Sequence, residues 1–153
     1  MSYDRVHIFE ALRPGRWAVC AIGIGLLAGC QGGGVNAPAP PTGETVSLSG
    51  DIQPIFNSAC VSCHADGTIS SAFGNPLRLT SGRAHANLVD RRSFQSANWT
   101  LVVPGDSSAS LLWLKVSRAD PPVGSTMPLF GSPLSSRQLG LIRDWIDQGA
   151  LDN

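Results

Sequence analysis

From residue 46 onward, hydrophobic positions recur at helical rather than alternating spacing. In "SGDIQPIFNSACVSCH", Ile52, Ile55, Phe56 and Ala59 fall on one helical face, with Ser49 or Asp51 placed to cap and Pro54 placed in a first turn. This predicts a short helix running into Cys60. "TSGRAHANLV" predicts a second helix capped by Thr80 or Ser81, with Gly82 weakening it by about 1 kcal/mol relative to alanine. In "VVPGDSSASLLWLKV" a Pro104-Gly105 turn and a capping Asp106 or Ser107 precede Leu111, Leu112, Leu114 and Val116, apolar on most sides, as in a buried helix. Prolines and glycines interrupt residues 119 to 134, predicting a long shaped loop. The clearest element follows: Ser135 and Gln138 form an S-x-x-Q capping box, Leu139, Ile142, Trp145 and Ile146 share one face, and Gly149 closes the helix. No stretch alternates like a strand, so the expected class is all-α.

The N-terminal part follows a different pattern. Arg5, Arg13 and Arg16 precede the uncharged run "WAVCAIGIGLLAG", which is shorter than the roughly 20 residues of a permanent membrane span. A basic segment before a short apolar one predicts an export signal over residues 1–29. "LLAGC" resembles the lipobox of bacterial lipoproteins, which implies cleavage before Cys30 and lipidation of its thiol. Gln31, rather than aspartate, then implies sorting to an outer membrane where the cell has one. The expected localisation is thus exported and lipid-anchored, at the periplasmic side or the cell surface. "QGGGVNAPAPPTGETVS" is rich in Gly and Pro without an apolar period, so residues 30–45 read as a flexible tether and residues 46–153 as the folded domain.

Composition excludes more than it identifies. The chain is 42% hydrophobic and 14% charged, and from residue 30 onward eight basic side chains face nine acidic ones. No basic stripe is present, so nucleic acid is not an indicated partner, and nothing in the pattern calls for more than a monomer.

The chemistry concentrates in "CVSCH", residues 60 to 64. C-x-x-C-H in an exported chain is the attachment signature of c-type haem: three residues along a turn set two thiols at the spacing of two vinyl groups, and the next imidazole reaches the iron. A thioredoxin-like redox pair would need a βαβ pattern. A Cys₂His₂ zinc site would need a second ligand pair, for which only His85 remains. For the sixth position on iron the candidates after residue 30 are Met127, in "GSTMPLF", and His85. Met127 is favoured because a soft thioether suits ferrous iron, and a methionine beside proline in a loop is a poor core filler. His85 reads as a partly exposed helix residue or a hydrogen-bonding neighbour of the haem. Ile55, Phe56, Leu111, Leu114, Ile142, Trp145 and Ile146 read as core, and Trp99 and Trp113 as core or haem-packing aromatics.

The succession "IQPIFNSACVSCH", "LRLTSGRAHANLV", "VVPGDSSASLLWLKV", "STMP" and "PLSSRQLGLIRDWIDQGA" resembles a small bacterial mono-haem c-type cytochrome domain. The resemblance covers nearly all of residues 50 to 151. It implies the helical cytochrome c fold around one covalent haem c, with Cys60 and Cys63 as thioether positions, His64 as proximal ligand and Met127 as distal ligand. It also implies that the region of Pro76 in "GNPL" supplies a carbonyl to the proximal imidazole, with Leu77 packing on the ring. The expected function is electron transfer with protein redox partners and no bond rearrangement. The alternative is a haem-based sensor or peroxidase-like enzyme with an open distal position.

Overall fold

The structure, a computed structural model, describes residues 43–153. The predicted export signal, Cys30 and nearly all of the tether lie outside the described residues. Five α-helices follow one another: α1 (Gln53–Ala59), α2 (Ile69–Ala72), α3 (Ala84–Leu88), α4 (Leu111–Ser117) and α5 (Ser136–Asp147). A π-helical turn, Leu48–Ile52, runs straight into α1. The class is all-α, as the apolar spacing predicted. Among the described residues the only extended pairings are single bridges: Val89 with Val102, Arg92 with Thr100, Thr100 with Ser110 and Val103 with Asp106. No helix among them is long and apolar enough to cross a membrane.

The first helical segment starts earlier than predicted. Ser47, rather than Ser49 or Asp51, is the cap: its Oγ accepts from the Gly50 amide at 3.1 Å, while its own amide donates to Asp51 Oδ2 at 2.9 Å. That reciprocal pair satisfies two donors a helix start leaves open. Pro54 sits in the first turn of α1, where its missing N–H costs nothing. Gln53 is buried, its amide nitrogen donating to the Leu79 carbonyl and to Asn57 Oδ1, both at 2.8 Å.

The helix predicted from Thr80 is shorter than expected. Gly82 adopts φ +73°, a left-handed conformation that a helix cannot include, so residues 80–83 form a turn and α3 begins at Ala84. The segment before α4 differs likewise. Asp106 Oδ1 caps a turn, accepting from the Ala109 amide at 3.0 Å and the Ser108 hydroxyl at 2.6 Å, and the helix proper starts only after Ser110. Of α4's apolar residues Leu111 and Leu114 are buried, whereas Leu112, Trp113 and Val116 are half-buried.

α5 matches its prediction. The Ser135 hydroxyl accepts from the Gln138 amide at 3.3 Å, and Gln138 Oε1 accepts from the Ser135 amide at 2.9 Å. Its C-terminus closes with the Gly149 amide donating to the Ile146 carbonyl and the Ala150 amide to the Trp145 carbonyl, Gly149 standing at φ +103°. Leu139, Ile142, Trp145 and Ile146 form its buried face, which packs on α4 and on the Leu48–Ile52 turn. Val46, Leu48, Ile52, Ile55, Phe56, Leu88 and Val102 complete the core.

The two ends of the domain are stitched together. Asn153 accepts from the Ser49 amide and the Ser47 hydroxyl through its backbone carbonyl and from the Leu48 amide through Oδ1. Gln148 accepts from the Val46 amide and donates to the Glu44 carbonyl.

Candidate functional site

α1 ends at Ala59, and the next five residues form one tight turn. The amides of Cys63 and His64 both donate to the Cys60 carbonyl, at 3.0 and 2.9 Å. The predicted C-x-x-C-H is therefore a single turn of backbone presented at the end of a buried helix. Both thiols are half-buried and free. Burial, reinforced by the neighbouring Cys63, pushes the Cys60 thiol up to about 11. A thiol so protonated at neutral pH is a weak thiolate nucleophile, which counts against thiol redox catalysis. Among the described residues no three Cys, His, Asp or Glu side chains converge as a zinc site would require.

The turn is held from behind by side chains that spacing did not single out. Thr68 and Ser70 both donate their hydroxyls to the Cys63 carbonyl, and Thr68 and Ser71 donate to the Ala65 carbonyl at 2.7 and 3.0 Å. The His64 carbonyl accepts from the Leu79 amide at 2.9 Å. Arg78 braces the return strand of chain, donating to Asp66 Oδ1 at 2.7 Å and to the carbonyls of Asn75 at 2.6 Å and Leu77 at 3.0 Å, and Arg83 also pairs with Asp66. The density of hydroxyls in "ADGTISS" was the available signal for these contacts.

The His64 ring is half-buried, and its Nδ1 is buried with no hydrogen-bond partner. Burial chiefly lowers its pKa. The Leu77 backbone opposes this, while the charges of Arg78 and Lys115 add to it. The imidazole is thus biased toward the neutral form that binds metal. The Leu77 carbonyl lies near enough to favour the protonated ring but is engaged by Arg78 and does not meet Nδ1 in hydrogen-bonding geometry. Pro76, in the same segment, is exposed, and Leu77 is half-buried against the core.

Met127 is half-buried on the 119–134 loop, which contains a cis Met127–Pro128 bond. α4 moors this loop: the Lys115 carbonyl accepts from the Met127 amide at 2.8 Å and the Thr126 hydroxyl at 3.0 Å, and Lys115 Nζ donates to the Ser125 carbonyl at 3.1 Å. Lys115 therefore holds the Met127 backbone, and its charge also acts on the His64 ring. A groove of about 300 Å³ separates Ser58, Ala59 and Ser62, at the cysteine turn, from Pro128 and residues 130–134. The groove thus takes its lining from the end of α1, from Ser62 of the cysteine turn and from the chain following Met127, while Cys60, Cys63, His64 and Met127 themselves are not among its lining residues. His85 is committed elsewhere: Nε2 lies 2.9 Å from the Ala150 carbonyl and Nδ1 4.0 Å from Asp152 Oδ2, at the C-terminal tail.

The residues present fit a haem. Besides the groove and the unpartnered His64 Nδ1, large apolar side chains after the cysteine turn and after Met127 are left uncovered: Phe73 and Phe130 are 78% and 79% exposed and Ile69 and Leu129 at least half, as is Phe94, whose ring lies beside Gly74. Phe130 lines the groove, and uncovered apolar side chains of this size are what a large flat apolar group would cover. Trp113 packs partly against the core, and Trp99 is half-buried. No protein-family profile, no curated protein and no solved structure matches this chain.

Proposed function

We propose that this chain is a mono-haem c-type cytochrome that transfers electrons, tethered to a membrane through lipid on Cys30. The observation that carries the reading is the Cys60–His64 turn: two free thiols and an imidazole biased toward its neutral form, held together on one loop of backbone. Cys60 and Cys63 would hold the haem by thioether bonds, His64 and Met127 would be its axial ligands, and Leu77 would pack beside it. When bound, the haem supplies a one-electron couple between ferrous and ferric iron.

The chain's own residues do the rest. Thr68, Ser70 and the Leu79 amide fix the backbone of Cys63 and His64, so the thiols and the imidazole keep one geometry in both oxidation states. The α4 mooring holds Met127 at its place in the loop. The apolar core behind the turn would lower the dielectric at the site, which disfavours the extra charge of the oxidised form and would raise the potential. Electrons would pass to and from protein partners at the open rim of the groove.

The test is the full chain produced where c-type haem is attached. Colour that survives denaturation, and that disappears in Cys60→Ser/Cys63→Ser, is the expected result; a colourless wild type ends the reading. Met127→Ala should lower the potential and let the reduced form bind carbon monoxide. A wild type that already binds carbon monoxide would instead support the sensor or peroxidase-like alternative.

A further inference from the structure

One feature near the site is not used by attachment or ligation. Gly124 stands at φ +61°, and a Cβ there would come within 2.9 Å of Gln95 Nε2 and 3.2 Å of Lys115 Nζ. A side chain at this position would fill the space in which the two donors meet. Among the described residues the Gln95 side-chain amide makes no hydrogen bond, its backbone amide donating to Ser93 Oγ, and Lys115 Nζ has only the Ser125 carbonyl, with no acid paired to it. Lys115 is also half-buried, unlike Arg91, Arg92, Arg118 and Arg137, which lie exposed. Gln95 and Gly124 lie at the surface, so the half-buried cation and the side-chain amide offer two donors to one solvent-accessible space, which a single carboxylate can take. The position is also right, since the Lys115 carbonyl holds the Met127 amide at 2.8 Å and the Lys115 charge acts on the His64 ring.

The geometry points to a carboxylate-binding nook formed by Lys115, Gln95 and the bare backbone of Gly124, which takes an acid group on the rim of the cofactor. This rests on the cytochrome reading above. Lys115 would donate a charge-assisted hydrogen bond to one oxygen, the Gln95 amide would donate to the other, and Gly124 would leave the room that any side chain would occupy.

The chain contains a single lysine, so an amine-acylating reagent has one side-chain target, localised by peptide mass spectrometry. In the haem-loaded full chain Lys115 should acylate several-fold more slowly than in Cys60→Ser/Cys63→Ser, which carries no haem. Should the double variant fail to fold, the comparison runs within the loaded protein: Gly124→Ala should speed acylation of Lys115 while the haem stays attached. Lys115→Gln should lower the reduction potential and Lys115→Arg should restore it, an effect of charge that a purely structural lysine would not produce. Protection that instead requires added acetate, with the loaded and unloaded chains otherwise alike, would assign the nook to a free carboxylate and overturn the proposal. Haem attached with equal acylation rates and an unmoved potential in Lys115→Gln overturns it alone; no haem in the wild type overturns the cytochrome reading with it.

Discussion

Single residues carry both the core and the acid response of this domain. Trp145 is 1% exposed and donates through Nε1 to the Leu151 carbonyl at 3.0 Å. Trp145→Ala should cost about 3–5 kcal/mol in denaturant unfolding, as large-to-small changes in packed cores do, whereas Trp145→Phe should cost less because the exposed carbonyl can turn to water. Asp106 bears on pH. The Ser108 hydroxyl, and after it the Ala109 amide, hold its carboxyl below the usual 3.8. A depressed folded-state value means that the stabilisation is present above the unfolded value and fades as pH falls through the folded one. The difference in melting temperature between wild type and Asp106→Asn should therefore persist at neutral pH, begin to shrink below about pH 4 and vanish only once the pH is below the depressed folded-state value. At this scale the candidate site was largely legible, because Cys60, Cys63 and His64 are adjacent in sequence and local backbone alone brings them together. Lys115, Gln95 and Gly124 were not legible, since 29 positions separate the outermost pair and only the fold makes them neighbours.

Among the elements, α5 is the one whose sequence and structure agree from cap to cap. Its N-terminus closes through a reciprocal Ser135–Gln138 pair and its C-terminus through Gly149, so local chemistry and burial specify the same twelve residues. Ser135→Ala should cost about 1 kcal/mol, read as a lower denaturant midpoint at an unchanged slope. α3 shows where local reading failed. The cap signals at Thr80 and Ser81 extended the expected helix across Gly82, but the backbone takes a left-handed step there that residue spacing does not encode. α4 failed in another way: Leu112, Trp113 and Val116 look like core in sequence yet are half-buried in the fold. Apolar residues packed at the margin of a core follow the same pattern as those that fill it, and sequence periodicity does not separate them.

For the whole molecule, the all-α class followed from spacing, but the closure of the domain did not. The bonds that join residues 44–49 to residues 148–153 involve Ser47, Gln148 and Asn153, polar residues with no periodic signature. His85 adds a latch, its ring holding the Ala150 carbonyl from α3. His85→Ala should therefore raise amide exchange at residues 46–49 and 150–153 while leaving α5 protected, measured by hydrogen–deuterium exchange.

With its first and last residues side by side, the domain does not need its present beginning and end. A permuted gene that joins Asn153 to Val46 through a few glycines, and opens the chain at the exposed Ala97–Asn98 turn, would keep every helix and the cysteine turn uninterrupted. The same geometry would let the domain be spliced into a surface loop of an unrelated host, entering and leaving at one corner without straining either partner.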